Sequence, residues 1–202
     1  MINLNQPQNH STMPLLRLGF RPFFFAAAMV AIISMLMWMA VYQAPITINN
    51  ISGSVWHAHE MVFAYASAVA VGFLLTASRN WTGIQTLYKK PLLALFVVWI
   101  LGRFSAFVPN DYLLYQAIID VAFLLIASIA ISCPIIKGKN WNNISIAGKM
   151  LLLTISHIVY YMGVLGVLEN GISFGLYSGF YLIISLLFMM SRRLLPYLIE
   201  RG

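Results

Sequence analysis

Six residues in this 202-residue chain carry chemistry and sit where chemistry is expensive. His57, His59 and Glu60 lie in the run WHAHEM at 56–61, and Arg103, Asp120 and His157 each interrupt a long apolar stretch. A titratable group within a membrane span costs several kcal/mol unless it is paired or functional, so each marks a candidate site. His57 and Glu60, three apart, share a helix face, whereas His57 and His59, two apart, diverge by ~200° on a helix. Either the helix has not yet begun at 56–59, or the two histidines serve different sites. Neutral imidazole is a usual axial ligand of haem iron and also suits copper. His57 and His59 are therefore candidate metal ligands, and His157 could supply a further cofactor ligand from a facing helix. The structural alternatives are plain. His57 and His59 could be wet interfacial residues, His157 could bond Tyr160 or Tyr161, and Arg103 with Asp120 could form an ion pair. No HExxH or CxxCH run is present, so the residues name no catalytic group and no reaction.

The elements that hold these residues follow from composition. Hydrophobic residues make up 61% of the chain and charged ones only 8%, with a mean hydropathy of +0.84. Soluble domains carry about 25% charged residues, so this surface faces lipid. The net charge of +7 is scattered in short clusters between apolar runs rather than gathered into a patch, which excludes a nucleic-acid interface. A single cysteine, Cys133, excludes an internal disulfide and a CxxC knuckle and reads as a small packing residue. The polar residues 1–13 read as a disordered cytoplasmic tail, and 14–202 as one transmembrane domain.

Crossing ~30 Å of hydrocarbon takes about 20 apolar residues. Six segments qualify: 22–42, 58–78, 91–107, 112–136, 149–168 and 173–195. Pro22 and Pro91 fall in first turns, where their missing N–H costs nothing. Trp56 and Trp81 bracket the second segment as interfacial anchors. Arg17 and Arg21, then Arg79, Lys89 and Lys90, then Lys137, Lys139 and Lys149, then Arg192, Arg193 and Arg201 alternate with loops holding only Asp111 and Glu169. The positive-inside rule makes this an all-α polytopic membrane protein of six helices with both termini cytoplasmic. Arg103 alone breaks the pattern.

Depth then groups the six candidates. At 1.5 Å per residue, Glu60 lies ~4 Å deeper than His57, Arg103 ~6 Å from its helix's outer end, and Asp120 ~12 Å down. His157 is near mid-span, so all six fall in the outer half or at the midplane. Two small-residue stripes, Ala64–Ala68–Gly72 and Gly171–Gly175–Gly179, read as helix contact faces. The first shares its line with Glu60, which should point into the bundle.

The motifs LGFRPFFF at 18–25, WHAHEM at 56–61, GFLLTA at 72–77, NWTG at 80–83, Gly102-Arg103 and RLLPYLIERG at 193–202 resemble the NnrS family. GFRPFF together with WHAHEM is far more specific than either alone. The resemblance implies a bacterial inner-membrane protein that carries haem and copper and serves nitric oxide metabolism or resistance to nitrosative stress. It implies cofactor roles for His57, His59, Glu60 and Arg103; His157 matches no family motif. That family is about twice this long, so the resemblance covers its first half. Either a second copy of the chain or a partner chain would then supply the rest, or the cofactor site is incomplete. Two other classes compete: half of a transporter with Glu60, Arg103 and Asp120 along its path, and an accessory subunit of a respiratory complex without chemistry of its own.

Overall fold

The apolar runs become six helices laid back and forth in a computed structural model, which describes residues 14–43, 47–48, 51–104 and 109–199. They are α1 (Phe20–Gln43), α2 (Gly53–Thr82), α3 (Lys89–Arg103), α4 (Leu113–Lys137), α5 (Ile144–Val164) and α6 (Gly171–Ile199). A two-stranded antiparallel turn, Thr47–Ile48 against Ile51–Ser52, leads into α2. The expected tail 1–13, and residues 105–107 of the expected third span, lie outside the described residues.

Five of these helices are long and apolar enough to cross a membrane: α1, α2, α4, α5 and α6. At 15 residues, α3 falls below that length as described. Several boundaries move for local reasons. The second span starts at Gly53, not 58, because the Ser52 hydroxyl accepts from the Val55 N–H at 3.3 Å and caps the helix there. His57 and His59 are therefore helical. Trp56 is only 6% exposed, so it packs in the bundle and is no interfacial anchor. The fifth span shifts to Ile144–Val164, ending before Gly166, whose φ of 74° suits a residue without Cβ. Cys133 is exposed on α4 and fills no gap.

α2 is the centre. In its most apolar stretch 61% of residues are buried, against 11% in α1 and 17% in α6. It packs on α1, α4 and α6, while α5 joins α4 and α6 on its other sides. Side chains such as Phe25, Ile32, Leu36, Tyr115 and Phe188 remain exposed on the outer faces, as suits lipid contact. Both small-residue stripes are contact faces. Ala64 and Ala68 are fully buried, and the glycine stripe of α6 lies directly on α5 and α2. A Cβ at Gly175 would come within 2.6 Å of the Tyr160 backbone, and one at Gly179 within 2.6 Å of the Phe63 ring. Polar side chains tie the helices where backbones approach. The Ser128 hydroxyl of α4 donates to the Met150 carbonyl of α5 at 2.9 Å, and the Ser78 hydroxyl of α2 donates to the Ile131 carbonyl at 3.2 Å. The Phe20 N–H, at the start of α1, finds the Thr76 hydroxyl at 3.3 Å.

Within α2, residues Glu60–Ala66 form a π-helical segment. Its wide turns loosen the backbone ladder, and side chains attend the loosened carbonyls: the Trp99 indole donates to Ala64 at 3.2 Å, and the Ser67 hydroxyl donates to Phe63. Such segments concentrate at functional sites.

Gly175→Ala should force α5 and α6 apart and cost about 1–3 kcal/mol, the usual penalty of overpacking. Gly148→Ala, whose Cβ would meet nothing within 4 Å, should be neutral or gain up to about 1 kcal/mol of helix propensity. Thermal unfolding in detergent checks both, and equal melting temperatures for the two variants would refute the close contact.

Candidate metal centre

Titratable side chains from four helices meet in one place inside the bundle. His59 and Glu60 come from α2, Arg103 from the last turn of α3, Asp120 from α4, and Tyr161 and His157 from α5. Antiparallel packing explains the meeting. Asp120 is seven residues into α4 and His157 seven residues before the end of α5, so both lie ~10 Å from the same end of the bundle.

Arg103 organises the carboxylates. Its Nη1 donates to Glu60 Oε2 at 2.7 Å, its Nη2 donates to Asp120 Oδ1, and its Nε donates to the Trp99 carbonyl at 3.4 Å. The guanidinium carbon also lies 5.9 Å from the Trp99 ring centroid. Gly102 makes this approach possible, because a Cβ there would lie 2.6 Å from Asp120 Oδ1. The ion pair of Arg103 with Asp120 that the sequence suggests is present, and Arg103 pairs with Glu60 as well; the guanidinium serves both. The planar fork of arginine is suited to such double engagement.

The imidazoles complete the cluster. His59 Nδ1 lies 3.1 Å from Glu60 Oε1, and its Nε2 lies 3.0 Å from His157 Nε2 and 3.3 Å from Asp120 Oδ2. His157 Nε2 is 3.4 Å from the same Asp120 oxygen, which also accepts the Tyr161 hydroxyl at 2.8 Å. Aromatic rings close the space around them. Phe63 stacks on His157 at 4.2 Å between centroids and Tyr160 on His59 at 4.6 Å. His57 is elsewhere: half-buried, it stacks on Trp38 of α1 at 4.9 Å. The two histidines of WHAHEM thus serve different surroundings, and His59 alone joins the cluster.

His59, Asp120 and His157 are the three side chains able to grip a metal ion together among the described residues. A haem does not fit between His59 and His157. Their Nε2 atoms are 3.0 Å apart, whereas two axial nitrogens each ~2 Å from an iron need ~4 Å and an open slot for the ring. An apolar cavity of 330 Å³ between α1, α2 and α6 is lined by residues such as Phe24, Phe73 and Leu186 and offers no imidazole, thiolate or carboxylate.

Comparison with known proteins agrees with the motifs. The model of the NnrS protein family matches residues 14–202. The chain belongs to the NnrS family. No curated protein and no solved structure is significantly similar to it. Five long apolar helices agree with the membrane protein that NnrS membership implies. The sequence names every member of the charged cluster and pairs Asp120 with Arg103, but not with the imidazoles; in the structure Asp120 touches Arg103, His59, His157 and Tyr161. The signal that could have placed it was the i, i+4 pair His157 and Tyr161, two polar groups on one helix face of an NnrS chain otherwise apolar at that depth.

Removing Arg103 leaves two buried carboxylates facing each other. Arg103→Leu should therefore cost about 3–5 kcal/mol, as the loss of one partner of a buried pair does. Adding Glu60→Gln and Asp120→Asn together should restore most of that loss in a detergent melt. A triple variant no more stable than the single would show that the ion pairs do not hold α2, α3 and α4 together.

Proposed function

We propose that this protein is an integral protein of the bacterial inner membrane that handles nitric oxide or protects against it, using a metal centre held in the outer half of its bundle. The observation that carries the reading is the cluster itself: five ionisable side chains buried together in an otherwise apolar, lipid-facing NnrS bundle. Nitric oxide is small, uncharged and soluble in hydrocarbon, so it reaches such a site through the bilayer without an aqueous channel. A site closed by Phe63, Tyr160 and Tyr161 keeps water and larger oxidants out while admitting a diatomic molecule. Glu60 and Arg103 support the histidines rather than bind the gas.

In this reading all six helices cross, with both termini in the cytoplasm, and the cluster lies toward the periplasm. The basic residues support that orientation. Lys89 and Lys90 begin α3, Lys137 ends α4 with Lys139 just beyond it, and Lys149 sits early in α5, all at the bundle end opposite the cluster. Asp111 and Glu169 lie at the cluster's end. In this reading the haem ligand is His57, which stands apart from the cluster and stacks on Trp38 of α1. A second copy or a partner chain could complete the haem site there.

Two measurements test the proposal. In a chain with Cys133→Ser, a cysteine at Asp111 should react with an impermeant reagent in intact cells and one at Lys137 should not; the reverse pattern would overturn the orientation. Cells lacking the protein should grow more slowly than the parent under a nitric oxide donor, and the wild-type gene should rescue them while Asp120→Asn should not. Equal growth of all strains would remove nitric oxide from the function and leave the transporter and accessory-subunit readings.

A further inference from the structure

We infer that His59 Nε2, His157 Nε2 and Asp120 Oδ2 bind one bare, non-haem iron(II) ion, to which nitric oxide adds as a further ligand. The choice of nitric oxide rests on the function proposed above; the metal site does not.

The geometry comes first. The three atoms form a nearly regular triangle with edges of 3.0, 3.3 and 3.4 Å. A single point lies ~1.9 Å from all three, close to the ~2.0–2.2 Å bonds that imidazole nitrogen and carboxylate oxygen make to a first-row ion. Displacing the ion slightly from the plane brings every distance into that range. It also leaves one side of the triangle for other ligands.

Proton positions point the same way. Glu60 Oε1 can only accept, so the 3.1 Å contact places a proton on His59 Nδ1. In the neutral ring His59 Nε2 then carries a lone pair, aimed at His157 and Asp120. Asp120 Oδ2 already accepts from Tyr161 and presents its remaining lone pair to the same point. The His59 and Asp120 lone pairs that converge there are met either by an N–H at His157 Nε2 or by a cation. A carboxylate that receives the outer N–H of a ligating imidazole is the usual support of a metal-bound histidine, and Glu60 has that position.

The charge of the cluster asks for the same cation. Two carboxylates, Glu60 and Asp120, face one guanidinium, Arg103, and their remaining ionisable partners are the imidazoles of His59 and His157. The surplus negative charge is buried, at Asp120 with 0% exposure. It requires a proton on an imidazole or a metal ion. His157 Nδ1 has no hydrogen-bond partner although its ring is fully buried. A ring held only by Nε2 contacts and by stacking on Phe63 is placed for what its Nε2 meets.

The donor set selects the metal. Two imidazoles and one carboxylate with open positions form the set characteristic of non-haem iron(II). Copper(I) prefers thiolate and thioether, and none is in the cluster. Iron(II) held this way binds nitric oxide reversibly as an added ligand, with no bond of the gas broken and no external reductant consumed.

The test uses the full chain purified in detergent, stripped with a chelator and free of a Soret band. Anaerobic titration with iron(II) should give one ion per chain, and nitric oxide should then produce the high-spin iron–nitrosyl signal in electron paramagnetic resonance. His59→Ala and His157→Ala should each weaken iron binding at least ~10-fold, and Glu169→Gln, an acidic change outside the cluster, should leave it unchanged. Where an alanine variant aggregates, His157→Gln, which keeps the volume of the ring, should show the same loss in a folded protein. The site is overturned if the stripped protein takes up no ion, in which case the imidazoles share a proton. It is equally overturned if binding survives loss of both histidines. Binding of copper or zinc with iron excluded would overturn the assignment to iron. Iron bound as described in a protein that gives cells no nitric oxide tolerance would sink the proposed function and leave the site standing. Tolerance that persists without the site would do the reverse.

Discussion

A charge surrounded by hydrocarbon has no water to turn to, so its partner must come from the protein. That constraint sets the upper half of this bundle. Arg103 ends α3 among apolar neighbours, and its guanidinium must be answered by Glu60 of α2 and Asp120 of α4 at once. Satisfying it fixes the depth of three helices relative to one another. The histidines are then placed by the carboxylates: Glu60 orients His59, and the second oxygen of Asp120 lies between His59 and His157. Buried ion pairs add little net stability because desolvation offsets most of the attraction. Here their contribution is specificity of arrangement, since any sliding of α3 against α2 and α4 strands a charge.

Close helix contact elsewhere serves the same arrangement. α5 carries His157 and Tyr161 and must stay pressed against α4 and α2. The glycines of α6 let it lie flush on α5 at Tyr160, and Phe63 fills the space under Gly179 while stacking on His157. The Ser128 hydroxyl also meets Thr154 at 2.9 Å and holds α4 to α5 two turns from the cluster. Association in lipid depends on such packing and hydrogen bonds because lipid supplies no hydrophobic drive between helices. The packing stripes and the polar site are therefore parts of one construction.

Much of this was legible in the sequence. Long apolar runs point to the helices, and the depth of each ionisable residue along its run puts Glu60, Arg103, Asp120 and His157 in one half of the bundle or at its midplane. The inward aim of Glu60 followed from the Ala64–Ala68 stripe. The rest depends on rotation about helix axes, which no single run encodes. That His59 turns inward while His57 turns to Trp38 depends on where α2 begins, and the Ser52 cap moves that point five residues ahead of the apolar run. That His157 meets His59 rather than only its neighbouring tyrosines depends on how α5 sits against α2, which the α6 glycines decide. The π segment has no signature in residue type.

That segment has a further consequence for how this helix can vary. Each residue of an α-helix turns the chain by about 100°, so a stretch of wider turns delays the rotation by roughly one residue's worth. Glu60–Ala66 therefore separates α2 into two parts with independent phase. The outer part, Gly53–His59, is indexed to the ion cluster, and the inner part, Ser67–Thr82, to the face that packs on α1 and α4. Substitutions that retune helix packing in the inner part need not swing His59 and Glu60 out of alignment. The joint thus lets lipid-facing and packing surfaces drift over time while the polar centre keeps its geometry.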